Sequence, residues 1–263
     1  MEAKINGLKI NYEIAGNSPW VTLSHSLACN LHMWDGQMAA LAKKYKVLRY
    51  DTRGHGKSDA PAGAYTLEQL ADDVHGLLTR LGVKQTHWVG LSLGGMIGQT
   101  FALKYPGVFK SVTLADTTSR YPAELAPLWT DRIKAVEAGG MQAVANATLE
   151  RWFTEPYRKS HAPVVEKIGG HIRATPVAGF IGCCHAIPKI NLTQRLKEIT
   201  CPALVIVGEQ DPGTPVAMAR EIHDALPGSE LVIIPSAAHL SNIEQHPAFN
   251  AALLGFLDRA AGK

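Results

Sequence analysis

Three residues far apart in the chain carry the side chains needed for nucleophilic acyl chemistry: Ser92, Asp211 and His239. A serine hydroxyl is a weak nucleophile at neutral pH, so it needs a base within hydrogen-bonding reach and an acid that orients that base. Ser92 is the centre of Gly90-Leu91-Ser92-Leu93-Gly94, between a strand-like run, Thr86 to Val89, and a helix-like run, Met96 to Lys104. A serine in that setting occupies a tight strand-turn-helix corner that presents its hydroxyl to a pocket. The glycines two residues to either side leave room for strand and helix to approach. Asp211 follows the apolar run Ala203 to Gly208, and His239 follows Glu230 to Ile234. With each run a strand of one parallel sheet, all three side chains emerge at its carboxyl edge, in the order Ser, Asp, His. Asp116 and Asp51 also end strand-like runs and compete as the acid; Asp211 ranks above both. The plain alternatives are Asp211 as a cap for a helix near Pro215 and His239 as a loop histidine, and a corner at Ser92 tells against both holding at once.

Acyl transfer also requires donors for the developing oxyanion. The backbone N–H of Leu93, directly after the nucleophile and at a helix N-terminus, is the first expected donor. The second is Leu27 N–H, in the loop His25-Ser26-Leu27 that follows the strand-like run Trp20 to Ser24. Ser26, beside that donor, is a candidate to touch substrate through its hydroxyl. The glycine-rich stretch Asp51 to Ser58 is read as a structural turn closed by Ser58 and Asp59, with His55 part of that structure.

These residues need a sheet to hold them. Lys4 to Ala15 alternates about an Asn6-Gly7 turn and predicts an antiparallel hairpin, followed by strands at Trp20 to Ser24 and Val47 to Tyr50. Helical spacing at Met33 to Ala42 and Leu67 to Leu81, each followed by a strand, predicts a mostly parallel sheet. With Thr86 to Val89, Lys110 to Ala115, Ala203 to Gly208 and Glu230 to Ile234, eight strands are expected. Further helices are expected near Pro215 to Leu226 and Pro247 to Ala260. Between about Ser119 and Ile190 the rhythm breaks into helices alone: Leu125 to Ala138, Met141 to Trp152, Ala162 to Ile172 and Val177 to Ala186, punctuated by Gly139-Gly140, Glu155-Pro156 and Thr175-Pro176. Residues 119–190 are therefore expected to form a cap over a core of residues 1–118 and 191–263.

Composition removes several classes of function. An apolar content of 46% fits a globular core and argues against disorder. A net charge of +3 with no cluster of Lys and Arg argues against a nucleic-acid partner. No run of apolar residues is long enough to span a membrane, and no basic segment followed by a hydrophobic stretch opens the chain, so a cytoplasmic protein is expected. The four cysteines, Cys29, Cys183, Cys184 and Cys201, lack the spacing of a redox or zinc motif and are read as reduced packing residues. The eleven histidines lack ligand spacing, so no metal site is expected.

Across its length the chain resembles the α/β-hydrolase superfamily, and within it the 3-oxoadipate enol-lactonases of aromatic catabolism. The resemblance is carried by Leu23-Ser24-His25-Ser26-Leu27 with Met33-Trp34-Asp35, by Leu48 to Gly56, by Gly90 to Met96, by Glu150-Arg151-Trp152-Phe153-Thr154, and by Arg173-Ala174-Thr175-Pro176 with Cys183-Cys184. The elbow and the turn are shared widely among hydrolases, whereas the cap stretches are less widespread. Ala28 departs from the pattern, which often has glycine there. The resemblance implies an α/β-hydrolase fold, no cofactor, and hydrolysis of a small enol-lactone bearing a carboxylate arm. A carboxylate arm favours a cation in the cap, where Arg132, Arg151 and Arg173 are the candidates, and Trp129 and Trp152 are candidates to line the pocket; each is equally the kind of residue that serves on a surface or in a core. A short-chain carboxylesterase, a carbon-carbon bond hydrolase of ring-cleavage products and a cofactor-free perhydrolase share the same constellation. A ligand receptor is a further reading, though no unusually apolar exposed stripe marks the cap. The partner expected is a small lactone or ester, and residue types do not choose between a monomer and a homo-oligomer.

Overall fold

Asn6 and Gly7 both adopt positive φ (49° and 82°), as a two-residue hairpin turn requires, and the chain opens as that hairpin. In a computed structural model describing residues 1–261, β1 (Glu2–Ile5) and β2 (Leu8–Ala15) pair antiparallel, and β2 lies antiparallel to β4 (Lys46–Tyr50). The remaining strands, β3 (Trp20–Ser24), β5 (Thr86–Leu91), β6 (Phe109–Ala115), β7 (Ala203–Gly208) and β8 (Glu230–Ile234), run parallel to one another and to β4. The sheet order is β1-β2-β4-β3-β5-β6-β7-β8. From β3 the chain moves outward to β4 and then returns to place β5 on the opposite side of β3. The loops after β3 and β5 therefore leave the sheet side by side at a switch point, the usual place for a ligand crevice in an open parallel sheet.

The crossovers are α1 (Asp35–Leu41), α2 (Leu67–Arg80), α3 (Leu93–Lys104) and α9 (Val216–Ala225), and the sheet is closed by α11 (His246–Ala261). A reciprocal cap starts α2: the Thr66 hydroxyl accepts the Gln69 N–H at 3.1 Å while the Gln69 side chain accepts the Thr66 N–H at 3.0 Å. Leu67, Leu70, Ala71, Val74, Leu77 and Leu78 then bury one face of the helix. Beneath α3, the rings of Trp88, Phe101 and Phe109 stack with centroids 4.5 to 6.3 Å apart.

Between β6 and β7 come five helices: α4 (Pro127–Gly139), α5 (Gln142–Trp152), α6 (Glu155–Ser160), α7 (Ala162–Ala174) and α8 (Val177–Ala186). The short α6 replaces the break expected at Glu155-Pro156. Proline there falls in the first turn, where its missing N–H costs nothing, and the Thr154 hydroxyl accepts the Tyr157 N–H as the N-cap. A second short helix, α10 (Ser241–Glu244), also went unread in the sequence.

Two joints fasten this helical cap to the sheet. At one, a Cβ added to Gly179 would stand 1.9 Å from the Gly54 carbonyl oxygen, and one added to Gly54, which has φ +79°, would stand 2.4 Å from Gly179 Cα. Only two glycines allow backbones to meet this closely. Tyr65 N–H donates to the Gly182 carbonyl at 3.0 Å beside them. At the other joint, the buried Glu244 carboxylate accepts the N–H of Thr154 at 3.1 Å and of Ala238 at 2.9 Å, together with the Thr154 hydroxyl.

Candidate active site

Ser92 occupies the corner between β5 and α3 at φ 55°, ψ −113°, a conformation that costs a non-glycine residue on the order of 1–3 kcal/mol. Its surroundings hold it there: Ser92 N–H donates to the Ala115 carbonyl at 2.9 Å, and the Ser92 carbonyl accepts from the Thr117 hydroxyl at 2.8 Å. The flanking glycines are needed for closeness. A Cβ at Gly90 would lie 2.2 Å from the Gly94 oxygen, and one at Gly94 would lie 2.2 Å from the Ser24 oxygen at the end of β3.

Asp211 and His239 come together across the loops after β7 and β8. The Asp211 Oδ2 accepts His239 Nδ1–H at 2.7 Å and the Thr214 hydroxyl at 2.6 Å, while Oδ1 accepts the N–H of Gly213 at 2.8 Å and of Thr214 at 3.1 Å. Burial opposes the charge on Asp211, but the facing imidazole and these hydrogen bonds outweigh it and hold the carboxyl below its ordinary value. Burial likewise opposes the imidazolium of His239, and the charge and hydrogen bond of Asp211 outweigh it and raise His239. The Trp152 ring stacks on the imidazole with centroids 6.2 Å apart. Ser92 and His239 line one cavity. Among the described residues no hydrogen bond joins them; such nucleophile-base contacts commonly tighten only with substrate in place.

The competing acids have other partners. Asp51 accepts Leu31 N–H, Lys57 N–H and the Asn11 side-chain amide, each at 2.8 Å, and so organises the glycine-rich turn. Asp116 contacts Gly208 and Ser241 rather than His239.

The loop after β3 turns sharply, with Cys29 N–H donating to the Ser26 carbonyl at 3.2 Å and Ala28 at φ 56°. This is the third turn position, which favours glycine, and Ala28 fills it. Two buried histidines brace the turn from beneath. His55 Nε2 accepts Ala28 N–H at 3.0 Å while its Nδ1–H donates to the Arg53 carbonyl at 3.1 Å. His25 Nδ1–H donates to the Ser26 carbonyl at 2.7 Å and its Nε2 accepts Thr52 N–H at 2.9 Å. Burial keeps both neutral, lowering His25 and pushing His55 down to about 3, so each presents one donor and one acceptor. Leu27 N–H has no backbone partner among the described residues, and Leu93, the first residue of α3, has an N–H that its helix cannot satisfy. The switch point thus sets two unpaired donors in adjacent loops beside Ser92.

The cap roofs the cavity with two pairs of residues one helical turn apart, Trp129 and Arg132 on α4 and Thr148 and Arg151 on α5, with Trp152 beside them. The Arg132 guanidinium lies 4.4 Å from the centroid of the Trp129 ring. Arg151 donates to the Thr148 hydroxyl at 3.2 Å, and burial together with the neighbouring Arg132 lowers its pKa. Among the described residues neither arginine forms an ion pair. Ser26 Oγ and Trp129 Nε1, both buried at the cavity, have no hydrogen-bond partner among the described residues. Arg173 lies outside the cavity on α7 and pairs with Glu166. Asp211 lies behind His239 rather than in the wall.

Met96, Tyr121, Phe180 and Ile187 also line the cavity and were not singled out from the sequence. Of these, Tyr121, six residues past the end of β6, carried a signal in its place just beyond a central strand. Cys29, Cys183 and Cys184 are buried free thiols, and Cys201 is half-buried and free. Burial pushes Cys201 up to about 11 and Cys184 up to about 12, which makes them poor nucleophiles. Among the described residues no group of three or more His, Cys, Asp or Glu could hold a metal ion, and no helix is long and apolar enough to cross a membrane.

The sheet order, the elbow and the helical cap define an α/β hydrolase, and residues 19–245 match the α/β hydrolase fold family, to which the chain belongs. Among its relatives is 3-oxoadipate enol-lactonase 2 of Acinetobacter baylyi, 36% identical over 252 residues covering 95% of this chain and 93% of that one. The crystal structure of the enol-lactonase from Burkholderia xenovorans superposes with a TM-score of 0.95 at 38% identity, over 98% of this chain and 100% of the other. A thermophilic esterase from Thermogutta terrifontis superposes with a TM-score of 0.94 at 29% identity, over 99% of both. The protein is thus a hydrolase fold related to enol-lactonases.

Proposed function

We propose that this protein hydrolyses a small enol-lactone bearing a carboxylate, of the 3-oxoadipate enol-lactone type, through an acyl-enzyme on Ser92. The observation that carries the reading is the pair of guanidinium groups, Arg132 and Arg151, without ion-pair partners among the described residues, in the roof of the cavity that Ser92 and His239 line. Two cations held together in a partly desolvated site favour an anionic ligand. His239 takes the Ser92 proton as Oγ attacks the ring carbonyl, and the oxyanion forms against the N–H groups of Leu27 and Leu93. Collapse breaks the bond to the ring oxygen, which receives the proton from His239 and leaves as an enol still tethered to the acyl group. The enol tautomerises to a ketone, which makes ring opening effectively irreversible. Water, activated by His239, then adds to the acyl-enzyme and frees Ser92, while Asp211 holds the imidazole tautomer throughout.

A short-chain carboxylesterase is the second reading, favoured by the apolar lining of Met96, Phe180 and Ile187 and by the likeness to the Thermogutta esterase. Comparison of kcat/KM for a carboxylate-bearing enol-lactone and for p-nitrophenyl acetate separates the two. A preference for the lactone is expected, and a strong preference for the acetate sinks the lactonase reading. Ser92→Ala is expected to lower kcat by roughly 10³-fold or more; full activity in that variant would remove the acyl-enzyme altogether.

A further inference from the structure

One buried acid has no part in that scheme. Asp116 directly follows β6 at φ 44° and is fully buried. Its Oδ1 accepts the N–H of Gly208 at 2.8 Å, three residues before Asp211, and a hydrogen bond of 2.5 Å joins its Oδ2 to the hydroxyl of Ser241, two residues after His239. Its own N–H donates to the Ile206 carbonyl of β7 at 2.8 Å. One side chain thus cross-links the loop that carries the acid to the loop that carries the base. We propose that Asp116 is a positioning residue that holds Asp211 and His239 in register as a neutral carboxylic acid, and that loss of its proton in alkali slows hydrolysis. The inference rests on the reading of Ser92, Asp211 and His239 as one hydrolytic centre.

The protonation state follows from the partners. Asp211 meets an imidazole and three further donors, whereas Asp116 has two hydrogen bonds and, among the described residues, no ion-pair partner. The charged and titratable groups acting on it are Asp211 from the loop after β7 and His239 from the loop after β8, with Arg132 of the cap acting on His239 in turn. Two buried carboxylates sharing one neighbourhood do not both ionise readily, and the one with fewer donors keeps the proton. Burial first, and then the charge of Asp211, push Asp116 up to about 8. Once ionised, Asp116 places a second buried negative charge beside Asp211, and the repulsion between the two carboxylates disturbs the register of the loops that carry Asp211 and His239.

The test compares the wild type with Asp116→Asn and Asp116→Ala, following both turnover of p-nitrophenyl acetate and the rate at which a fluorophosphonate labels Ser92, from mildly acid to alkaline pH. Asparagine keeps an acceptor for Gly208 N–H and a donor for the Ser241 hydroxyl. Its rate at neutral pH is expected within about threefold of the wild type, and its alkaline decline is expected to vanish. Alanine frees both loops and is expected to lower kcat about 10- to 100-fold with little change in KM. A wild-type decline centred near pH 8 is expected. The proposal is overturned by a flat wild-type profile, by an asparagine variant that keeps the decline, or by one that falls as far as alanine at neutral pH. Infrared spectra supply a readout independent of turnover: a carboxylic C=O band present in the wild type near neutrality and missing in Asp116→Asn is expected, and its absence from the wild type overturns the proposal. Should fluorophosphonate leave the wild type unlabelled, the hydrolytic reading fails, and the infrared band still decides whether Asp116 is neutral.

Discussion

At Ser92 the backbone is held in a left-handed strained corner, and in the proposed mechanism the work of making that serine reactive falls to His239. Because Asp211 raises His239 above its ordinary value near 6.5, the neutral base is lost as pH falls through a value above 6.5. The acid limb of kcat/KM is therefore expected above pH 6.5, and Asp211→Asn is expected to lower kcat and shift that limb downward; a limb well below 6.5 in the wild type contradicts the assignment. The roof arginines make a separate prediction. Replacing Arg132 or Arg151 with Met is expected to raise KM for a carboxylate-bearing lactone about 10- to 100-fold, the worth of a charge-assisted hydrogen bond, and to leave a neutral acetate nearly unaffected. Equal losses on both substrates would assign the arginines to structure. The order Ser, Asp, His was legible in the chain because each residue follows an apolar run and strands have one carboxyl edge. Arg151 and Arg173 could not be told apart in the same way, since the choice depends on which face of α5 and α7 turns inward, and that is set by packing between cap helices.

The loops after β3 and β5 act as one element. Gly94 at the start of α3 touches the carbonyl of Ser24 at the end of β3, the strand that launches the loop carrying Leu27. A side chain at Gly94 would push α3 from β3 and separate the N–H groups of Leu93 and Leu27. Gly94→Ala is expected to destabilise the protein by about 1–3 kcal/mol and to lower kcat about 100-fold, read from thermal melts and steady-state kinetics; an unchanged kcat would show that the spacing of these donors is irrelevant. The strands and long helices are readable from periodicity to within three residues at either end, while α6 is not. Pro156 reads as punctuation in isolation and serves instead as a first-turn residue because Thr154 caps the helix and Glu244 anchors Thr154 from the core. That anchor lies 90 residues away in the chain, beyond the reach of any local pattern.

Over the whole molecule, burial lowers His25, His55, His87 and His171, to about 3 for His55 and about 4 for His87. Below pH 6.5 the unfolded chain binds protons at these sites that the folded protein refuses, so stability is expected to fall as pH drops from 6.5 towards 4. Asp116 works in the opposite sense, because the folded protein keeps a proton that the unfolded chain gives up, but it is one carboxyl against four imidazoles. Calorimetry should show Tm decreasing over that interval, and a Tm that rises would mean the histidines are protonated in the folded state. The meeting of Gly54 with Gly179 has a consequence for how such a protein can diversify. The cap is joined to the sheet through α8, at a place where any new side chain collides with main chain, whereas α4 and α5 supply the polar groups of the cavity roof and α8 adds Phe180. A library that varied Trp129, Arg132, Thr148 and Arg151 and left the two glycines alone would explore new substrates without unseating the roof, so most of the breadth of specificity is stored in other helices than the security of assembly.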